Sequence, residues 1–316
     1  MVPEPLAHGW YKPGMRASEI HKLTVVGAGQ MGAGIAQVSA GAGIDVSLAD
    51  ISLERATQGK LGIAKQLGRL VDKGKATREA VDALLARITP CVTGTSFESA
   101  DVAIEAATEN RELKAKIFRE IDAALRPGAL LLTNTSSISV TWLAAQTKRP
   151  ELVSGMHFMN PVPLMKLVEV VRGLATSPET LRTVVELVER FEKTVVTSED
   201  RFGFIVNRMV IPLVNEACFA LEEGLGSAES IDTGARLGLN HPLGPLELAD
   251  LVGLDTVLAI CEVFLRDFGD AKYRPPTTLR NLVAAGWLGR KTGRGFYVYD
   301  AQGQKVGPSL ERWASR

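Results

Sequence analysis

The chain lacks the features that would send it to a membrane, a nucleic acid or an oxidising compartment. Among its 316 residues, lysine plus arginine equals aspartate plus glutamate at 36 each, so no net field draws it to nucleic acid or an anionic bilayer. No stretch approaches the roughly 20 apolar residues that span a bilayer. Residues 1–20 carry Pro, Gly, Glu and His where a secretory signal needs an apolar centre, so a cytoplasmic location is expected. Cysteine is scarce: Cys91, Cys218 and Cys261 are odd in number, far apart and without Cys-x-x-Cys spacing. They form neither a disulfide framework nor a zinc site, no metal is expected, and all three read as buried thiols.

Histidine is nearly as scarce, and that focuses the search for a proton carrier. Of four, His8 lies in the N-terminal tail, His21 before the first apolar run and His241 in a Pro-rich loop. His157 ends the run Ser-Gly-Met-His, and Glu169 lies inside the next run, Leu-Val-Glu-Val-Val. A histidine with a carboxylate partner is how a general base is held in one tautomer, although a strand-end histidine is more often a plain hydrogen-bonded rim residue.

With 46% hydrophobic and 23% charged residues, the length suffices for two domains. From residue 22 to about 200, short β-branched runs alternate with helical stretches: 23–26, 45–48, 102–105, 130–133, 152–156, 167–171 and 194–197. That alternation predicts an α/β domain of Rossmann type, a mostly parallel sheet with helices on both faces. Between Leu53 and Arg87 a helical pair broken at Lys73-Gly74-Lys75 is too long for an ordinary crossover and predicts a projecting hairpin. Beyond residue 200 strand-like runs nearly vanish, and Leu246, Ala249, Val252, Val257, Ile260 and Phe264 recur at helical spacing. The expected division is an extension over 1–20, with Met15 as an alternative start, a dinucleotide-binding domain over 21–200 and an all-helical domain over 201–316. The segment 246–265 is apolar over much of its circumference, which favours a homodimer through the helical domain.

Leu23-Thr-Val-Val-Gly27-Ala-Gly29-Gln30-Met31-Gly32 is a strand running into Gly-x-Gly-x-x-Gly and a helix through about Ala42. Gly27 permits the turn, Gly29 the approach of a pyrophosphate, and Gly32 close packing of helix on strand. Asp50 ends the second strand, where a carboxylate accepts from ribose hydroxyls; the plain alternative is a helix cap. An acid there repels a 2′-phosphate, so NAD is favoured over NADP, and the nearest basic residue is Arg55. Asn134 and Ser136 follow an apolar strand at the expected carboxyl edge of the sheet, where they could meet a ligand or cap the next helix, a task open also to Ser137 or Ser139. Asn207, in an apolar helical setting, needs a partner, structural or otherwise.

As a set, Gly27-Ala-Gly-Gln-Met-Gly-Ala-Gly-Ile-Ala36, Ile104-Glu-Ala-Ala-Thr-Glu-Asn110, Asn134-Thr-Ser-Ser137, His157-Phe-Met-Asn-Pro161, Gly203-Phe-Ile-Val-Asn-Arg208 and Gly293-Arg-Gly-Phe-Tyr297 resemble the L-3-hydroxyacyl-CoA dehydrogenase family. The likeness covers roughly residues 20–300 and is nearest to the short bacterial 3-hydroxybutyryl-CoA dehydrogenases. It implies NAD as cofactor and an acyl-CoA as substrate, with His157 as general base, Glu169 as its partner, and Ser136 and Asn207 as substrate contacts. It also implies that Glu109, Lys114 and Asn134 lie near the nicotinamide half of NAD, that Lys291 reaches the cofactor and that Lys73 meets CoA. Without the resemblance, Lys73 and Lys114 would pass for solvated surface lysines. Two departures stand out: Met159 replaces a second Phe found in many members, and Gln66 stands where some carry a CoA-contacting Ser. A hydratase region is absent, so one reaction step is expected. The alternatives are a 3-hydroxyadipyl-CoA dehydrogenase, a gulonate-type sugar-acid dehydrogenase and a non-catalytic dinucleotide-binding relative.

Overall fold

The structure is a computed structural model that describes residues 15–314; the tail containing His8 lies outside the described residues. The chain divides into two compact units, Met1–Arg201 and Phe202–Arg316. In the first, the elements run β1 (Lys22–Val26), α1 (Gln30–Gly41), β2 (Asp45–Asp50), α2 (Leu53–Asp72), α3 (Arg78–Ala86), β3 (Ile88–Val92), β4 (Val102–Glu105), α4 (Arg111–Ala124), β5 (Leu130–Thr133), α5 (Val140–Ala144), β6 (Val153–Phe158), β7 (Leu167–Arg172), α6 (Pro178–Arg190) and β8 (Thr194–Glu199). The strands form one sheet in the order β3-β2-β1-β4-β5-β6-β7-β8. Every neighbouring pair is parallel except β6 and β7.

Each residue of β4, β5 and β6 is buried, as expected of a parallel sheet covered on both faces. Helices start where short polar side chains accept the first free amides: Ser52 from Arg55, Thr77 from Ala80, Asn110 from Leu113 and Ser177 from Thr180. The α2–α3 pair breaks at residues 73–75, as its Lys-Gly-Lys predicts, with Gly74 at φ +67°. Strand β3 was not legible in the sequence, because Pro90 interrupts its short run; it survives at the sheet edge, where a missing N–H breaks no ladder.

Two expectations about burial need correction. Ala17 and Ile20, assigned to an extension, belong to the first unit's core: both are buried, and Arg190 Nη1 donates to both of their carbonyls. Cys91, expected to be buried, is half-exposed, whereas Cys218 and Cys261 are buried and free.

The second unit comprises α7 (Val206–Glu222), α8 (Ala228–Thr233), α9 (Pro245–Val252), α10 (Leu254–Phe268), α11 (Thr277–Ala284) and a hairpin of β9 (Tyr297–Tyr299) and β10 (Lys305–Pro308). It is helical apart from that hairpin, so the expectation of helices alone is corrected. The apolar segment 246–265 is two helices, parted at Gly253, whose φ of +101° lies outside any helical range. No helix among the described residues is long and apolar enough to cross a membrane.

Two buried aspartates fasten the hairpin to the helices. Asp250 accepts from Phe296 N at 2.8 Å, Tyr297 N at 2.9 Å and the Tyr299 hydroxyl at 3.0 Å. Asp232 accepts from Leu246 N at 2.8 Å and the Tyr297 hydroxyl at 2.8 Å. Burial pushes the Asp250 carboxyl up to about 6, against the pull of those hydrogen bonds. Between its ordinary 3.8 and about 6, the folded chain therefore keeps a proton that the unfolded chain has released, and this group's contribution to stability falls as pH rises through that window. In Asp250→Asn the added amide hydrogens face donors. We expect a loss of roughly 1–3 kcal/mol from one mispaired buried group, with a flatter stability profile across the window, measured by urea unfolding at several pH values.

Candidate active site

The glycine-rich turn between β1 and α1 is shaped by close approaches that leave no room for side chains. At Gly27, with φ +101°, a Cβ would come within 2.7 Å of the Ala106 carbonyl oxygen; at Gly32 it would come within 1.7 Å of the Gly27 oxygen. Gly29 differs, since a Cβ there meets nothing within 4 Å. Its open side lies at the start of α1, which has no side-chain cap, so the helix amides and the positive end of the dipole are available to an anion such as a pyrophosphate.

Asp50, buried at the end of β2, accepts from Ala28 N at 2.7 Å through Oδ2 and from Ile51 N at 2.8 Å through Oδ1. Arg55 Nε lies 3.2 Å from Oδ1. The carboxylate thus braces the glycine turn and retains acceptor capacity for ribose hydroxyls. It does not cap α2, because Ser52 does. A cavity of about 850 Å³ opens here, lined by Gly29, Gln30, Asp50, Arg55, Gln66 and Asn160 among others. Lys73, exposed at the C-terminal end of α2, is not among its lining residues.

A smaller cavity of about 250 Å³ is lined by Met31, Ala106, Ala107, Glu109, Lys114 and Asn134 with their neighbours. The two cavities together give a dinucleotide both of the surroundings it needs, an acid-lipped cleft beside the helix N-terminus and a second recess at the ends of β4 and β5. Glu109 accepts from Thr135 Oγ1 at 2.8 Å, from Ser136 N at 2.7 Å and from Ser136 Oγ at 3.2 Å. Asn134 Oδ1 accepts from Phe158 N at 2.9 Å, which ties the end of β5 to the end of β6. Neither Asn134 nor Ser136 caps the next helix; Ser139 does, accepting from Trp142 N at 3.1 Å. Lys114, which in isolation resembles a surface lysine, is buried and donates to Glu105 Oε2 at 2.5 Å.

His157 and Glu169 face each other in register across the antiparallel pair β6–β7. His157 Nδ1 lies 2.8 Å from Glu169 Oε2, with the histidine 7% exposed and the glutamate 0%. A buried carboxylate accepts, so a neutral ring donates from Nδ1 and carries its lone pair on Nε2, the form a general base requires. Because β6 runs parallel to β5 and β7 returns, both side chains stand at the carboxyl edge near Asn134.

Two contributors escape a sequence reading. Asn160 Oδ1 accepts from Gln30 Nε2 at 3.0 Å, linking the fingerprint helix to the loop that follows the histidine strand. Lys193 donates to the carbonyls of Val162 and Met165 at 2.7 Å each and holds that loop; burial, with Lys166 nearby, lowers its pKa. A polar Asn between Met159 and Pro161 was a signal for the first, while nothing local marks the second. In the second unit, Asn207 is half-buried in the first turn of α7, and the exposed Lys291 pairs with Asp255 at 2.5 Å.

Residues 22–201 match the NAD-binding domain of 3-hydroxyacyl-CoA dehydrogenase, and residues 203–299 match its C-terminal domain. A probable 3-hydroxybutyryl-CoA dehydrogenase of Bacillus subtilis is 50% identical over 89% of this chain and 98% of its own length. A 3-hydroxyadipyl-CoA dehydrogenase of Escherichia coli is 43% identical over 91% of this chain and 61% of its own. The crystal structure of (S)-3-hydroxybutyryl-CoA dehydrogenase from Ralstonia eutropha superposes with a TM-score of 0.86 at 48% identity, covering 89% of this chain and 99% of the other. The chain belongs to the 3-hydroxyacyl-CoA dehydrogenase family and is an NAD-dependent oxidoreductase.

Proposed function

We propose that the chain catalyses reversible oxidation of the 3-hydroxyl of an L-3-hydroxyacyl-CoA, with 3-hydroxybutyryl-CoA as its substrate, working as a cytoplasmic homodimer. The observation that carries this reading is the His157–Glu169 hydrogen bond at the carboxyl edge of the sheet, 2.8 Å long and buried. His157 takes the hydroxyl proton on Nε2 as the carbonyl forms, and Glu169 stabilises the imidazolium that results. In the reverse direction the imidazolium returns the proton. When bound, NAD supplies the carbon that accepts hydride.

Ser136 and Asn207 act as substrate-contacting donors toward the oxygen and acyl group whose charge changes. The Ser136 hydroxyl is held by Glu109 and must turn from it to reach a substrate oxygen. Gly27, Gly29, Gln30, Gly32 and Asp50 hold the adenosine and pyrophosphate portion of NAD, Glu109, Lys114 and Asn134 serve the nicotinamide half with Met31 beside them, and Lys291 reaches the cofactor from the second unit. Lys73 serves CoA. A dimer is supported by large apolar side chains exposed on the second unit, Met209, Leu225, Leu237, Leu239 and Leu251.

NADH formation with L-3-hydroxyacyl-CoAs of rising length, and with free hydroxy acids and gulonate as controls, tests the substrate class. The four-carbon thioester should lead; a preference for 3-hydroxyadipyl-CoA would move the assignment to the reaction for which the Escherichia coli relative is named. Absence of CoA-dependent turnover would sink the proposal. Replacing His157 by Gln should lower kcat by at least about a hundredfold while leaving the Kd for NAD unchanged. Asp50→Ala should raise the KM for NAD by about tenfold, the worth of roughly 1.4 kcal/mol in charge-assisted hydrogen bonding, and should narrow the preference over NADP.

A further inference from the structure

A fully buried ion pair borders the smaller cavity, and half of it has no part in the chemistry described above. Lys114 is 1% exposed and Glu105 0%. Glu105 is satisfied on both oxygens: Lys114 Nζ at 2.5 Å and Thr133 Oγ1 at 3.0 Å donate to Oε2, and Ala107 N at 2.9 Å donates to Oε1. The ammonium is not satisfied. It has three donors and spends one on Glu105, its one hydrogen-bond partner among the described residues, while Lys114 lines the cavity with Met31, Glu109 and Asn134.

Taking two charges out of water costs several kcal/mol per ion, and a well-packed apolar pair would serve the fold as well or better. Retention of the pair beside a cavity therefore points to the donors it holds there. The acceptor they suit is a neutral carbonyl oxygen rather than a phosphate. Glu105 cancels the ammonium charge and Glu109 adds a second carboxylate at the cavity wall, so an anion gains little, whereas an amide oxygen needs only directed N–H groups. The nicotinamide carboxamide offers that oxygen, on a ring that is cationic when oxidised and that an uncompensated ammonium would repel.

We propose that Glu105 is a positioning residue for the cofactor: it neutralises Lys114 and aims its remaining N–H groups at the carboxamide oxygen of the nicotinamide. This rests on the reading that Lys114 contacts NAD. Glu105 itself touches neither cofactor nor substrate and acts through the lysine.

Glu105→Asp keeps the charge but withdraws the carboxylate by one methylene, so Lys114 is pulled from its aim. The expected result is a rise of about tenfold or more in Kd and KM for NAD, since a charge-assisted hydrogen bond carries that much, with the KM for the acyl-CoA nearly unchanged and the thermal midpoint lowered because the buried pair is stretched. In Glu105→Gln the affinity for oxidised NAD should fall further than that for NADH, because only the oxidised ring is cationic, a split that a purely structural role would not produce. Wild-type affinity for NAD in Glu105→Asp, with Lys114→Met weakened, overturns the proposal and leaves the cofactor reading of Lys114 standing. Wild-type affinity in Lys114→Met overturns both. Should the single Glu105 variants fail to fold, the double variant Glu105→Met, Lys114→Met removes both charges and preserves packing. It should fold and bind NAD as weakly as Lys114→Met, and wild-type affinity there would show the pair to be structural and overturn the proposal.

Discussion

A sheet covered on both faces tolerates a charged side chain only where another group meets it, because an unpaired buried charge costs far more than a native chain has to spare. Here every buried carboxylate along the carboxyl edge obeys that constraint. Asp50 is met by the Ala28 and Ile51 amides, Glu105 by Lys114, Thr133 and the Ala107 amide, and Glu169 by His157. The partners are drawn from different strands and loops, so satisfying each charge also fixes the loops that surround the cavities. The polar groups that keep the fold free of unpaired charges are thereby the groups that line the site.

The reversal of β7 makes the histidine pair possible. Had β7 run parallel to β6, its twelve-residue offset from His157 would have required a crossover connection, and no such length of chain exists between Phe158 and Leu167. Pairing antiparallel places Glu169 directly opposite His157 in the ladder. The connecting loop is then free to line the larger cavity, and Lys193 and the Gln30–Asn160 hydrogen bond hold it there.

In the second unit the same constraint recurs away from the His157–Glu169 pair. Asp232 and Asp250 bury their carboxylates to fasten a short hairpin against the helices, and the tyrosines that reach them carry the hairpin's own apolar rings into the core. Desolvation raises both carboxyls, which is the cost of using charge as an internal fastener.

By itself the sequence determined the alternation of strand and helix, the glycine turn, the acid at the end of β2, the break at Gly74 and the candidacy of His157 and Glu169. These features are local: period, turn chemistry and scarcity of residue type can be read without knowing what packs against what. Only the tertiary structure decided that β3 is a strand despite Pro90, that Ala17 and Ile20 are core, that Arg55 folds onto Asp50 and that Lys114 is buried on Glu105 rather than solvated. Those outcomes depend on which strand lies beside which and on what remains unsatisfied when they meet. A lysine's burial, unlike a glycine's turn, is set by what neighbouring strands and loops bring against it.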